Sequence, residues 1–456
     1  MALADQLASY FYSVKYTDLD ARTVREAKRR IMDALGCALG AYREKPISMA
    51  RRAASGVSSA RHATMLGTRS RTSPDLAAFV NGFMIRYFDF NDTYLSKEPA
   101  HPSDNLGATL AVAESEGKSG RDLILSTVLA YEIQCRLADA ADIRHRGWDH
   151  VNYGLVSTAL AASRLMGVSA AKATQAVNIA LNSHIAMRQV RAGELSMWKG
   201  ASFANVARNG VFAATLAREG ITGPSPVFEG EMGFFKQVSG EFVLDTSSFG
   251  DRNAPFRIGG TYIKYWPAEY HAQTAIWAAL ELRKRIADPT QIESVRVETH
   301  EAGYTILGKD PEKWNPKTKE TADHSLPYIV ATALLDGKVE NSSYSTRKLT
   351  DERTLGLARR VAVTEDTRLT ELYLDRGMGN RITVRMKGGG TLTAESVVPR
   401  GHPGNPMSDE EVESKFMSLT RKSLGNERAR RAIDLIWALD ESADLGRLIS
   451  ALVVRK

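Results

Sequence analysis

The chain has 456 residues, 43% hydrophobic and 25% charged, with a net charge of +7. That balance excludes a wholly disordered chain, and the length suffices for two or three domains. Its two cysteines, Cys37 and Cys135, lie in apolar helical patterns and cannot supply the several thiolates that an iron–sulfur cluster needs.

No run of about 18 uninterrupted apolar residues predicts a membrane span. The first residues, MALADQLASYFYSVKYTD, lack the apolar stretch of a secretion signal. The basic residues are dispersed, which suits a small anionic substrate. With no zinc-finger spacing or RNA-binding signature, nucleic acid is not an expected partner. A cytoplasmic protein without a membrane anchor is the expectation.

In chain order, residues 1–267 read as a helical domain. Over 20–41, Val24, Ala27, Ile31, Ala34, Leu35 and Ala38 recur at three- and four-residue steps, opposite Arg22, Arg25, Glu26 and Arg29. Ser119 and Asp122 have capping-box spacing ahead of a helix over 123–137, and Ser169 is placed to cap one that runs to Asn182. The stretches 154–166 and 203–217 are apolar nearly all round, which predicts central helices stopped by Gly167 and Gly220.

After Pro267 the period changes. A helix over 272–285 is followed by strand-like alternation at Val295, Val297 and Thr299, and again at Val361 and Val363. Residues 381–386 and 391–398 flank Gly388-Gly389-Gly390 and predict a hairpin. Ser408 and Glu411 form another capping box. The expected fold is mainly α: a large helical domain, an inserted α+β lid domain over 268–402, and helices over 403–456 that return to the first domain.

No phosphate-binding loop, dinucleotide fingerprint or H-E-x-x-H occurs, and EGEMGFF at 229–235 reads as a structural turn. The densest polar cluster is YFDFNDTYLSKEPAHPSDN at 87–105, with Asp89, Asp92, Thr93 and His101. Carboxylates and a histidine on a proline-constrained loop suit general acid–base work, although capping side chains on a solvated loop leave the same pattern. His150 and Lys199 each precede an apolar helix, where backbone N–H groups favour anions. His271 in PAEYHAQTA, and His324 and Tyr328 in TADHSLPY, fall at the domain junction, where clefts form.

Together, DFNDTYLSKEPAHPSDN, GWDHVNY, MWKGASFANVARNG, EGEMGFF, YWPAEYHAQTA, DHSLPY and GHPGNPMSDEE make the chain resemble the MmgE/PrpD family over nearly its whole length. That family includes 2-methylcitrate dehydratases and cis-aconitate decarboxylases. The resemblance implies a helical domain with a smaller lid, a homodimer, a tricarboxylate substrate and a lyase that uses neither metal nor cofactor. Its active-site positions match Asp89, Thr93, His101, His150, Lys199, His271 and Tyr328 here. The long SKEP insertion and HPSDN ending look like the dehydratase branch. His101 and Asp89 are then the expected proton-transfer pair, with His150 as a second donor or acceptor. Thr93, Lys199, His271 and Tyr328 would hold the substrate. Decarboxylation or isomerisation of a related acid, and a non-catalytic carboxylate-binding protein, are the alternatives.

Overall fold

A computed structural model describes residues 1–373 and 377–454. The first part of the chain forms nine α-helices, each of ten residues or more: α1 (Leu3–Ser13), α2 (Ala21–Gly40), α3 (Lys45–Ala54), α4 (Pro74–Arg86), α5 (Leu106–Ser115), α6 (Gly120–Ala140), α7 (Tyr153–Leu165), α8 (Ala170–Ser183) and α9 (Trp198–Glu219). Their starts follow from capping chemistry. Asp20 accepts from the Thr23 amide, Ser119 and Asp122 form a reciprocal box, and Ser169 caps α8. Gly220 ends α9 at φ +102°, a left-handed turn that a side chain would oppose.

The central helix α9 packs against α4, α7 and α8. Small residues allow the close crossings. A Cβ on Gly107 of α5 would lie 2.7 Å from the Gly82 backbone of α4, and one on Gly210 of α9 would lie 2.1 Å from Thr158 Oγ1 of α7. Along α9 the exposed or half-exposed positions are Trp198 at its start and then Asn205, Arg208, Phe212, Thr215, Leu216, Arg218 and Glu219. Past the first turn, Phe212 is the large apolar side chain that stands most open, at 49%.

One hydrophobic core joins residues 3–263 to residues 407–452. The helix Asp409–Leu424, capped by the Ser408–Glu411 box, lies on α2. There Lys415 forms a buried ion pair with Asp33 (2.6 Å) and donates to the carbonyls of Phe90 and Lys264, each at 2.7 Å.

A second core spans residues 268–384. It is built on a four-stranded sheet, besides the short ribbon of β1 (Ala63–Thr64) and β2 (Arg71–Thr72) in the helical part. The strands β3 (Ile292–Thr299), β4 (Val361–Glu365), β5 (Asn380–Met386) and β6 (Thr391–Ser396) lie in the order β4-β3-β5-β6. β3 runs parallel to β4 (Val295 opposite Val361) and antiparallel to β5 (Val295 opposite Val384); β5 and β6 make the hairpin. The helix α10 (Gln273–Arg285) packs against β5, β6 and the helix Leu326–Asp336. The architecture is mainly α with a smaller α+β region, as the sequence pattern predicts. No helix among the described residues is long and apolar enough to cross a membrane.

Candidate active site

The loop after α4 turns back sharply at Asp89, whose φ of +50° is the only left-handed value for a non-glycine among the described residues. Such a conformation costs on the order of 1–3 kcal/mol and persists only where the surroundings enforce it. Here they do. The buried Asp89 carboxylate is ion-paired with Arg86 at the end of α4, with Lys199 in the first turn of α9 (3.0 Å) and with Lys264 (2.7 Å), and Lys264 also holds the Asp89 carbonyl at 2.8 Å. His324 Nε2 approaches to 3.3 Å. Three cationic side chains thus meet one carboxylate, drawn from the helical part and from the chain leading into the α+β part.

The electrostatics follow from this crowding. Burial alone would raise the Asp89 pKa, but Arg86, Lys199, Lys264 and His324 hold it well below the usual carboxylate range. Asp89 therefore stays ionised near neutral pH and is a weak base, held in place among the cations. Burial brings Lys199 down to about 8, against the opposing pull of Asp89.

Two histidines flank the cluster with ring centroids 5.7 Å apart. His101 is pushed well below its usual range by burial, then by Arg86 and Lys264. His150 falls to about 4, mainly through burial, although Asp149 opposes the shift. Both ring nitrogens of His150 are buried without a hydrogen-bond partner. Its Nδ1 lies 3.1 Å from Asp149 Oδ1, close enough for an ion pair but not aligned for a hydrogen bond. Asp149 is itself tied to Arg191 Nε (3.2 Å) and to the Ser202 hydroxyl (3.3 Å). Both histidines are neutral near pH 7.

The remaining expected residues divide. His271 sits beside the cluster, with Nδ1 2.8 Å from Glu269 Oε1 and Nε2 3.0 Å from the Tyr373 hydroxyl. Glu269 connects it to the centre, held down to about 2 against the effect of burial by His271, His324 and Lys264. Thr93 is buried at the loop, but its hydroxyl donates to the Ala100 carbonyl (3.1 Å) and its amide to Tyr262, so it fixes the loop. Tyr328 does not join the cluster. Its hydroxyl donates to the Ser343 carbonyl (2.7 Å) inside the second core. His324 of the same motif comes to the centre instead.

Arg86, Lys264, Asp323 and Glu269 were not expected. Lys264, flanked by aromatic residues in TYIKYWP, carries the one local signal, because a lysine amid large apolar side chains is a candidate buried cation. Asp89, Asp323 and His324 have donor atoms within 4.8 Å of one another, the spacing of a metal site. A divalent cation does not fit there, because Arg86, Lys199 and Lys264 already neutralise Asp89, and Lys319 pairs with Asp323 at 2.8 Å.

The junction of this two-part fold thus gathers Arg86, Lys199 and Lys264 around one buried carboxylate, beside two neutral histidines. Residues 5–247 match the MmgE/PrpD N-terminal domain and residues 266–441 the MmgE/PrpD C-terminal domain. The chain belongs to the MmgE/PrpD family. It is similar to the 2-methylcitrate dehydratase of Cupriavidus necator, with 30% identity over 86% of this chain and 84% of that protein. The same holds for 2-methylcitrate dehydratase of Salmonella typhimurium (31%; 82% and 80%) and of Escherichia coli (32%; 74% and 73%).

Proposed function

We propose that the protein is a hydro-lyase that dehydrates 2-methylcitrate or a close tricarboxylate, without a metal, to the cis-aconitate-type product. The observation that carries this reading is the convergence of Arg86, Lys199 and Lys264 on Asp89 beside neutral His101 and His150. Dehydration requires a base to take a proton next to a carboxylate; the C–H electron pair becomes the double bond, and the hydroxyl leaves with a proton as water. Negative charge grows on the adjacent carboxylate meanwhile, and fixed buried cations stabilise it. Of the two neutral histidines, His101 takes the proton from carbon, and His150, whose ring nitrogens have no hydrogen-bond partner, serves as the second proton donor or acceptor. Lys199, Lys264 and Arg86 hold carboxylates, and His271 closes the site from the α+β side. The exposed aromatic side chains of α9, Trp198 and Phe212, support assembly as a homodimer through the helical part.

The test is incubation with 2-methylcitrate, citrate and cis-aconitate, with and without a chelator, following ultraviolet absorbance and carbon dioxide. The expected result is an absorbance rise with 2-methylcitrate, no gas, and no effect of the chelator. Gas from cis-aconitate alone would make the protein a decarboxylase. No turnover of any of the three would make it a binding protein. Loss of activity on chelation, restored by iron or zinc, would end the metal-free mechanism.

A further inference from the structure

Arg86 closes α4 with its side chain 3% exposed, and its guanidinium reaches three groups. One arm pairs with Asp89, Nη2 lies 2.9 Å from His101 Nε2, and Nε lies 3.8 Å from Asp104 Oδ2. A guanidinium only donates hydrogen bonds, so His101 Nε2 must accept. On the far side of the ring, His101 Nδ1 lies 2.8 Å from the Asp92 carbonyl, which only accepts, so Nδ1 carries the proton. Both nitrogens of His101 are therefore engaged. A histidine in this state has no free lone pair with which to take a proton from a substrate.

We propose that Arg86 is a positioning residue that masks the basic nitrogen of His101, and that a substrate carboxylate unmasks it by taking over the Nη2 arm. This rests on the tricarboxylate reading above. The exchange is favourable, because the guanidinium trades a neutral ring nitrogen for a partner of opposite charge whose geometry matches its fork. The bond to Asp89 keeps Arg86 in place while one arm changes partner. The Asp92 carbonyl holds the His101 ring and its tautomer throughout, so the freed Nε2 keeps its aim. The consequence is specificity: a hydroxy compound without a carboxylate at this position leaves the base covered and is not dehydrated.

The test on the unaltered protein uses histidine labelled with nitrogen-15, with the His101 signals assigned through His101→Gln. The probe is tricarballylate, a tricarboxylate that has no hydroxyl to lose. Saturation is expected to shift the Nε2 resonance toward that of a free lone pair while Nδ1 remains protonated. If calorimetry shows tricarballylate binding but Nε2 does not move, this inference fails and the functional reading stands. If tricarballylate does not bind and 2-methylcitrate is not turned over, the reading falls and the inference with it.

Kinetics supply a second arm. The charged and titratable groups facing His101 are Arg86, Lys264, Asp89 and His150. Arg86→Gln removes one of the cations that depress His101, so the acidic limb of kcat/KM is expected to move to higher pH. KM for 2-methylcitrate should rise about tenfold or more. Arg86→Lys, which keeps the charge but not the fork, should leave the limb nearer its original place. An unmoved limb and unchanged KM in folded Arg86→Gln would overturn the proposal.

Discussion

Lys199 stands in the first turn of α9, facing Asp89 and Asp323 as opposing charges and Arg86 and Arg191 as like ones. Burial sets its pKa at about 8, so it loses its proton as pH rises through that value and its hold on a carboxylate goes with it. KM for 2-methylcitrate should therefore climb above pH 8 in the parent and stay flat in Lys199→Arg, whose guanidinium titrates above about pH 12. Lys199→Ala should raise KM about ten- to a hundredfold at pH 7. A parent KM that is level from roughly pH 7 to pH 9.5 would remove Lys199 as a ligand. At this scale the motif order points to Asp89, His101, His150 and Lys199, because histidines and carboxylates on constrained loops are uncommon patterns. Arg86 stays hidden, since a lone arginine at a helix end reads as solvated and its burial is a tertiary fact. Tyr328 is expected from the resemblance and from its place at the junction. In the structure the helix Leu326–Asp336 carries its hydroxyl to the Ser343 carbonyl, inside the second core, a tertiary contact that the motif does not reveal.

Helices set the distances between these residues, and two glycines let α4 and α5 meet. Gly107→Ala would press a Cβ into the Gly82 backbone, which cannot step aside as a flexible side chain can. The expected cost is about 1–3 kcal/mol. It should appear as a lowered midpoint in denaturant melts, alongside a near-neutral Gly388→Ala, which meets nothing within 4 Å. Equal midpoints for the two variants would refute the close-packing account. Helices were the most legible elements, since caps and three-to-four spacing are local; α6, α8 and the helix from Asp409 begin where their capping residues imply, and α2 follows its apolar period. The β5–β6 hairpin was legible through its glycines. The parallel pairing of β3 with β4 was not, because strand order across a long connection is decided by packing that no local pattern encodes.

For the whole molecule, the proposed dimer predicts a mass of about twice the 50.0 kDa chain in light scattering. Phe212→Glu, which places a charge at an exposed aromatic side chain of α9, should halve that mass without unfolding the protein. A parent that runs only as a single chain at micromolar concentration would contradict the assembly. The core that joins residues 3–263 to 407–452 has a further consequence for synthesis. At about 5–20 residues per second, the intervening segment occupies the ribosome for on the order of ten to thirty seconds. Throughout that interval the face of α2 that receives the helix Asp409–Leu424 is uncovered, and Asp33 has no Lys415 to meet. All of the second core's residues are therefore synthesised before the helix that closes the first.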